Sequence, residues 1–200
     1  MRHDYKRPTD SDTTITELMI PSYANFGGKI HGGQLLSLMD KAAYACAAKH
    51  AGTYCVTVAV EGVNFMAPVD VGDLVSLQAR VNYTGRTSMV VGIRVTAENV
   101  REGVVKHTNT SYFTMVAKDD EGALVRVPGL ILGDAEDVRR FQEAIRRRKL
   151  KSAFETSMSE QKESFDVAAG IEALQNHNCR IEVGTPGAAE APSPSVDAEP

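Results

Sequence analysis

The apolar positions follow two periods. In TITELMI (Thr14–Ile20) apolar and polar residues alternate, which predicts a half-buried strand, and Pro21 ends it. From His31 to about Lys49 the period lengthens. Leu35, Leu38, Met39, Ala42, Ala43 and Cys46 recur at three- and four-residue spacing, which predicts a helix. Ala42, Ala43, Ala45, Ala47 and Ala48 keep its second half slim, as suits a helix buried on most sides. The strand period then returns in four long segments, Tyr54–Pro68, Gly72–Gly85, Thr87–Val100 and Val104–Asp120. The links at Gly85-Arg86, Arg101–Gly103 and Asp119–Gly122 are short and polar or glycine-containing, and predict antiparallel hairpins. Long strands with few turns predict one large curved sheet. A second helix is predicted over Gly133–Glu155, with Asp134 as N-cap, Asp137 completing an imperfect capping box, and Arg146–Lys149 and Lys151 in its basic half.

The expected organisation is a flexible polar arm (1–13), one α+β domain (14–132), a basic helix (133–155) and an acidic, largely disordered tail (156–200). The last stretch, VGTPGAAEAPSPSVDAEP, is too rich in Pro, Ala, Ser and acid to form a core. The chain has 200 residues and 42% hydrophobic content, enough for a core. The net charge is −4, but residues 156–200 carry −6, leaving the rest at +2. That balance gives no sign of nucleic-acid binding. Cys46, Cys55 and Cys179 are scattered without a CxxC, which argues for reduced thiols and a reducing compartment. No apolar run approaches the roughly 18 residues of a membrane span. The N-terminus also lacks the apolar core of a signal peptide. A soluble cytoplasmic protein is expected.

The candidate chemistry lies in NFGGKIHGGQLLSLMD, Asn25–Asp40. Gly27-Gly28-Lys29 lacks the spacing and the GKS/GKT ending of a phosphate-binding P-loop. Gly32 and Gly33, at the helix start, suit either an oxyanion hole built from free N–H groups or close helix packing. Asp40 lies among apolar residues on the same helix, either as a reactive acid or as a solvated acid on a polar edge. Gly32 and Asp40 are eight residues apart, which is roughly 12 Å along a helix. One carbonyl cannot meet both, so a shared substrate atom requires Asp40 from a second copy of the chain.

Together NxxGxxHGGxLLxxMD, VTVAVEGVNFMAPVDVGDLV and GRTSM resemble the hotdog-fold acyl-CoA thioesterases, specifically the YciA-like and animal cytosolic acyl-CoA hydrolase group. The likeness spans roughly Thr14 to Pro128. It implies a curved antiparallel sheet wrapped around a central helix. It also implies a dimer with a continuous sheet as the minimal unit, a hexamer built from three dimers, and an active site between subunits. By the resemblance, Asn25 orients thioester or water, and Asp40 acts as general base or attacks directly. The N–H of Gly32, with Gly33, polarises the carbonyl. His31, at the helix start, reads from its position as a capping or packing group or as a base. Arg86, Thr87 and Ser88 lie near the CoA phosphates, Thr57 and Val58 beside the pantetheine, and Arg147 near the 3′-phosphate. No metal or cofactor is implied; CoA belongs to the substrate. Two alternatives remain: a hotdog enoyl-CoA hydratase, whose Asp–His pattern is missing, and a non-catalytic acyl-CoA or nucleotide-binding module.

Overall fold

The computed structural model describes residues 4–163 and 165–183. Its contacts divide the chain into two units, Met1–Leu150 and Lys151–Pro200. In the first unit the elements run β1 (Tyr5–Lys6), β2 (Thr13–Leu18), α1 (Gly32–Ala51), β3 (Tyr54–Glu61), β4 (Asp73–Thr84), β5 (Ser88–Asn99), β6 (Val104–Lys118) and β7 (Gly129–Leu130). Helix α2 (Ala135–Glu163) begins in this unit, and α3 (Val167–Ala173) lies in the second.

Strands β2 to β6 form one five-stranded antiparallel sheet in the order β2-β4-β5-β6-β3. Helix α1 packs on its inner face and touches every strand. The small residues Ala42, Ala43, Cys46 and Ala47 are fully buried there, with Val75, Leu77, Val81, Ile93, Val95 and Phe113 in the same core. Alanines let the helix axis approach the sheet closely, so the slim half is the half the sheet wraps. Gly52, at φ 68°, ends α1 in the left-handed conformation that glycine adopts without strain. Burial pushes the Cys46 thiol up to about 12 and that of Cys55 to about 11, so both stay inert and protonated.

Three expectations need correction. The predicted strand Tyr54–Pro68 stops at Glu61, because Gly62 takes a φ of 71° and leaves the strand conformation. Residues 4–13 are not a loose arm. Tyr5–Lys6 pair in parallel with Gly129–Leu130, and Lys6 Nζ donates to the carbonyls of Lys49 and His50 at the end of α1. Buried Ser11 accepts from the Val81 N–H at 3.0 Å, so this segment is tied to β4 as well. The second helix runs to Glu163 rather than Glu155. Asp134 accepts from the Asp137 N–H at 2.8 Å as expected, while the Asp137 carboxylate reaches back to the Gly133 N–H at 3.0 Å. In the second unit Asp166 caps α3 through the Ala169 N–H. Of the tail expected to be largely disordered (156–200), residues 156–163 continue α2 and Val167–Ala173 form α3, while residues 184–200 lie outside the described residues.

On the outer face of the sheet, Phe141 of α2 packs against Tyr83 with ring centroids 4.9 Å apart, and the Arg147 guanidinium lies 3.9 Å over Tyr112.

Candidate active site

The loop before α1 is held by its own asparagine. Asn25 Oδ1 accepts from the N–H groups of Gly27 (2.9 Å) and Lys29 (3.2 Å). The Asn25 N–H donates to Lys29 O at 2.7 Å, and Gly28 turns the chain at φ 76°. With Oδ1 occupied, the carboxamide nitrogen of the exposed Asn25 is the side chain's remaining donor, and among the described residues it makes no hydrogen bond. Lys29 pairs with Asp70, fixing the far side of the loop.

His31 is the N-cap of α1: its Nδ1 accepts from the Gly33 N–H at 2.9 Å. That bond uses the Gly33 donor, which was expected to join Gly32. Among the described residues nothing accepts from the Gly32 N–H, leaving it as the uncommitted donor at the positive end of the helix dipole. The Phe65 ring stands 3.3 Å from where a Cβ on Gly32 would sit, so any larger residue would press into it. Phe65 was not singled out from sequence. It walls this donor only because the chain after β3 folds back over the helix start.

Asp40 lies two turns along α1 on its exposed side, not in the core. Its Oδ1 accepts from the Thr57 hydroxyl at 2.6 Å. Thr57 comes from β3, the edge strand, beside a bulge in which Val58 has no partner on β6 while Thr57 pairs with Met115 and Ala59 with Thr114. The bulge lets the strand bend where Thr57 meets the helix. Sequence reading placed Thr57 beside the pantetheine; the structure adds its bond to the acid. Around this pair one chain leaves Leu36, Tyr44, Tyr54, Val58 and Val60 exposed.

The turn between β4 and β5 is closed by the Gly85 N–H donating to Ser88 O at 2.7 Å. Arg86 is exposed there and lines a cavity of about 560 Å³ together with Arg126, Tyr5 and Phe141. Thr87 O accepts from the Ala117 N–H of β6, and Arg86 O from the Val127 N–H, so the end of β6 and the segment after it fasten this turn. Register links the two regions: Met89 pairs with Met115, which pairs with Thr57, placing Ser88 and Thr57 at the same end of the sheet. Arg126 was missed because only long-range folding brings it beside Arg86. Arg147 does not line this cavity. It is committed on the outer face, 2.6 Å from Glu143 and stacked on Tyr112.

Each chain therefore presents a helix-terminal N–H and a carboxamide at one end of α1 and a hydroxyl-held carboxylate two turns on. The first two are groups of the kind that polarise a carbonyl, the last of the kind that activates water. Comparison with known proteins points the same way. Residues 27–104 match the family model of the Thioesterase superfamily. Protein VdlD of Helicobacter pylori is 38% identical over 138 residues, covering 69% of this chain and 79% of that protein. The chain thus belongs to the thioesterase superfamily and has its hotdog fold. Among solved structures, an apo-hexameric acyl-CoA thioesterase superposes with a TM-score of 0.72 at 34% identity, over 74% of this chain and 96% of that one. An acyl-CoA hydrolase from Staphylococcus aureus, in complex with butyryl coenzyme A, coenzyme A and coenzyme A disulfide, gives 0.71 at 29% identity, over 80% and 97%. Alanine variants of that hydrolase also match; they replace an asparagine, an aspartate 15 residues later and a threonine 17 further on. Asn25, Asp40 and Thr57 have the same separations. The human cytosolic acyl coenzyme A thioester hydrolase is 30% identical over 135 residues, and this chain spans only 36% of its length.

Proposed function

We infer that this protein is an acyl-CoA thioester hydrolase, releasing a free carboxylic acid and CoA. The observation that carries the reading is the Thr57–Asp40 hydrogen bond on the open face of α1, with the uncommitted Gly32 N–H two turns away. Water adds to the thioester carbonyl carbon as Asp40 takes its proton, or the carboxylate adds directly and water cleaves the resulting anhydride. The oxyanion forms against the Gly32 N–H, with the Asn25 amide donating beside it. Collapse breaks the carbon–sulfur bond, and the CoA thiolate leaves and takes up a proton. The chemistry uses water alone.

The separation along α1 that keeps Gly32 from Asp40 makes the working unit a dimer, with Gly32 of one protomer facing the acid of its partner. Its interface is the β3 edge with the apolar residues around Thr57. Three such dimers form the hexamer. The phosphates of CoA lie at Arg86, Thr87, Ser88 and Arg126, and the pantetheine runs past Val58 toward the acid. Among the described residues no helix is long and apolar enough to cross a membrane, and the cytoplasm is the proposed location. A hydratase would need an Asp–His pair. Here the acid is held by a threonine, and His31 is spent on the helix cap.

A thiol-release assay over acyl-CoAs of increasing chain length tests the function. Asp40→Asn should reduce turnover by about 10²-fold or more, the scale of general-base catalysis, while the assembly persists. Near-full activity of that variant would remove Asp40 from the mechanism, and no thiol release from any acyl-CoA would remove the function.

A further inference from the structure

A second built cavity, of about 460 Å³, lies on the other side of the sheet from α1. Cross-strand register sets two rows of side chains there. Gln78, Arg94 and Thr110 face one another across β4, β5 and β6, with Thr14 of β2 extending the row. In the next row Arg80, Gly92 and Tyr112 are aligned. Gly92 makes room for Asn82: a Cβ there would stand 2.2 Å from Asn82 Nδ2, so the asparagine lies over the glycine at the floor of the cavity. Asn82 lines the cavity, is only 8% exposed, and its Oδ1 is buried without a partner. Most cations around the rim are neutralised. Arg80 is bound by Asp12, and Arg139 and Arg140 share Glu136, with Glu143 also on Arg139. Arg94 differs: among the described residues it makes no ion pair or hydrogen bond. An exposed, unpaired guanidinium therefore stands in a pocket whose other lining combines hydroxyls and carboxamides with the already paired Arg80, Arg139, Arg140, Asp12 and Glu143, beside Asn82, whose Oδ1 lacks a partner. An unsatisfied buried amide is costly unless something completes it.

We propose that this hollow binds a small phosphorylated molecule, separately from the acyl-CoA site. Arg94 takes the phosphoryl group, whose several acceptor oxygens suit the neighbouring Thr14 and Gln78 donors and the Thr110 hydroxyl, which is shared with His107. The body of the ligand lies against Asn82, which covers Gly92 at the floor of the cavity. The volume is several times that of a phosphate ion, which favours an ester over free phosphate.

Calorimetric titration of the full chain with ribose 5-phosphate, inorganic phosphate and malonate tests this. Ribose 5-phosphate should bind tightest, and Arg94→Gln should weaken it at least tenfold without lowering the melting temperature. Arg86→Gln, which alters the proposed CoA-phosphate turn, should leave that binding unchanged. Gln78→Ala gives a second, milder test in the same row and should weaken binding severalfold. The proposal is overturned if no phosphate compound binds, if malonate binds as well as the ester, or if Arg86→Gln rather than Arg94→Gln abolishes binding.

Discussion

Thr57 carries more of the site than its place in a valine-rich strand indicates. Its hydroxyl gives its one hydrogen to the Asp40 carboxylate at 2.6 Å and lies 3.3 Å from Met115 Sδ. Thr57→Val keeps the shape and removes the donor. A hydrogen bond to a charged group is worth about 1.5–3 kcal/mol, so kcat should fall roughly 10- to 100-fold, since 1.4 kcal/mol is a factor of ten. KM should change little. Thiol-release kinetics check this, and an unchanged kcat would leave the bond without a catalytic part. Asn25 shows the opposite division of labour. Its carbonyl oxygen closes the loop, so Asn25→Asp would keep the loop acceptor but lose the donor. Gly32 and Asp40 stood out in the sequence as candidates, a glycine at a helix start and an acid among apolar residues, whereas Asn25 was singled out only through the resemblance to the thioesterases. The commitment of the Gly33 N–H to His31 was not legible, because a cap depends on the ring's rotamer.

Of the two edge strands of the sheet, β2 and β3, β3 is the one that meets the acid. It is an edge strand whose backbone pairs only with β6 on one side, and Val58 and Val60 stand out from it. Unprotected edges invite strand pairing, and charge there prevents it. Val60→Lys should shift the protein from oligomer to single chains in sedimentation velocity, with thiol release falling in parallel. An intact, fully active assembly would place the contact elsewhere. The long strands β4, β5 and β6 came out within two residues of their predicted ends because alternation and glycine turns mark them locally. The end of β3 was missed because NFMAP continues the apolar character beyond Gly62. The ordering of residues 4–13 was missed for a different reason. A two-strand parallel pairing with Gly129–Leu130 is a contact across more than a hundred residues, and no local pattern announces it.

At the scale of the first unit, the end of α1 is a junction. Lys6 binds its final carbonyls, and fully buried His50 bonds to Pro128 O through Nε2 at 2.9 Å, while its Nδ1 has no partner. Burial, reinforced by the nearby Lys6 charge and opposed by the Pro128 bond, holds the imidazole below its ordinary value of 6.5. The unfolded chain therefore takes up a proton at a higher pH than the native one. His50 supports the fold fully above about pH 6.5, and that support is lost as the pH falls below it. Urea unfolding at pH 8 and pH 5.5 should give a lower midpoint in acid, and His50→Gln should flatten part of the difference. If the variant keeps the full pH dependence, the titration belongs to other groups. The bulge in β3 has a consequence for how this chain can vary. The pairings on both sides of Val58 stay in step, so one residue can be lost there without displacing Cys55 from the core or Ala59 from its partner. A deletion elsewhere in Tyr54–Glu61 would turn the adjoining side chains to the wrong face. Changes of length along this strand are thus confined to the position beside Thr57, where they would be felt by the acid rather than by the fold.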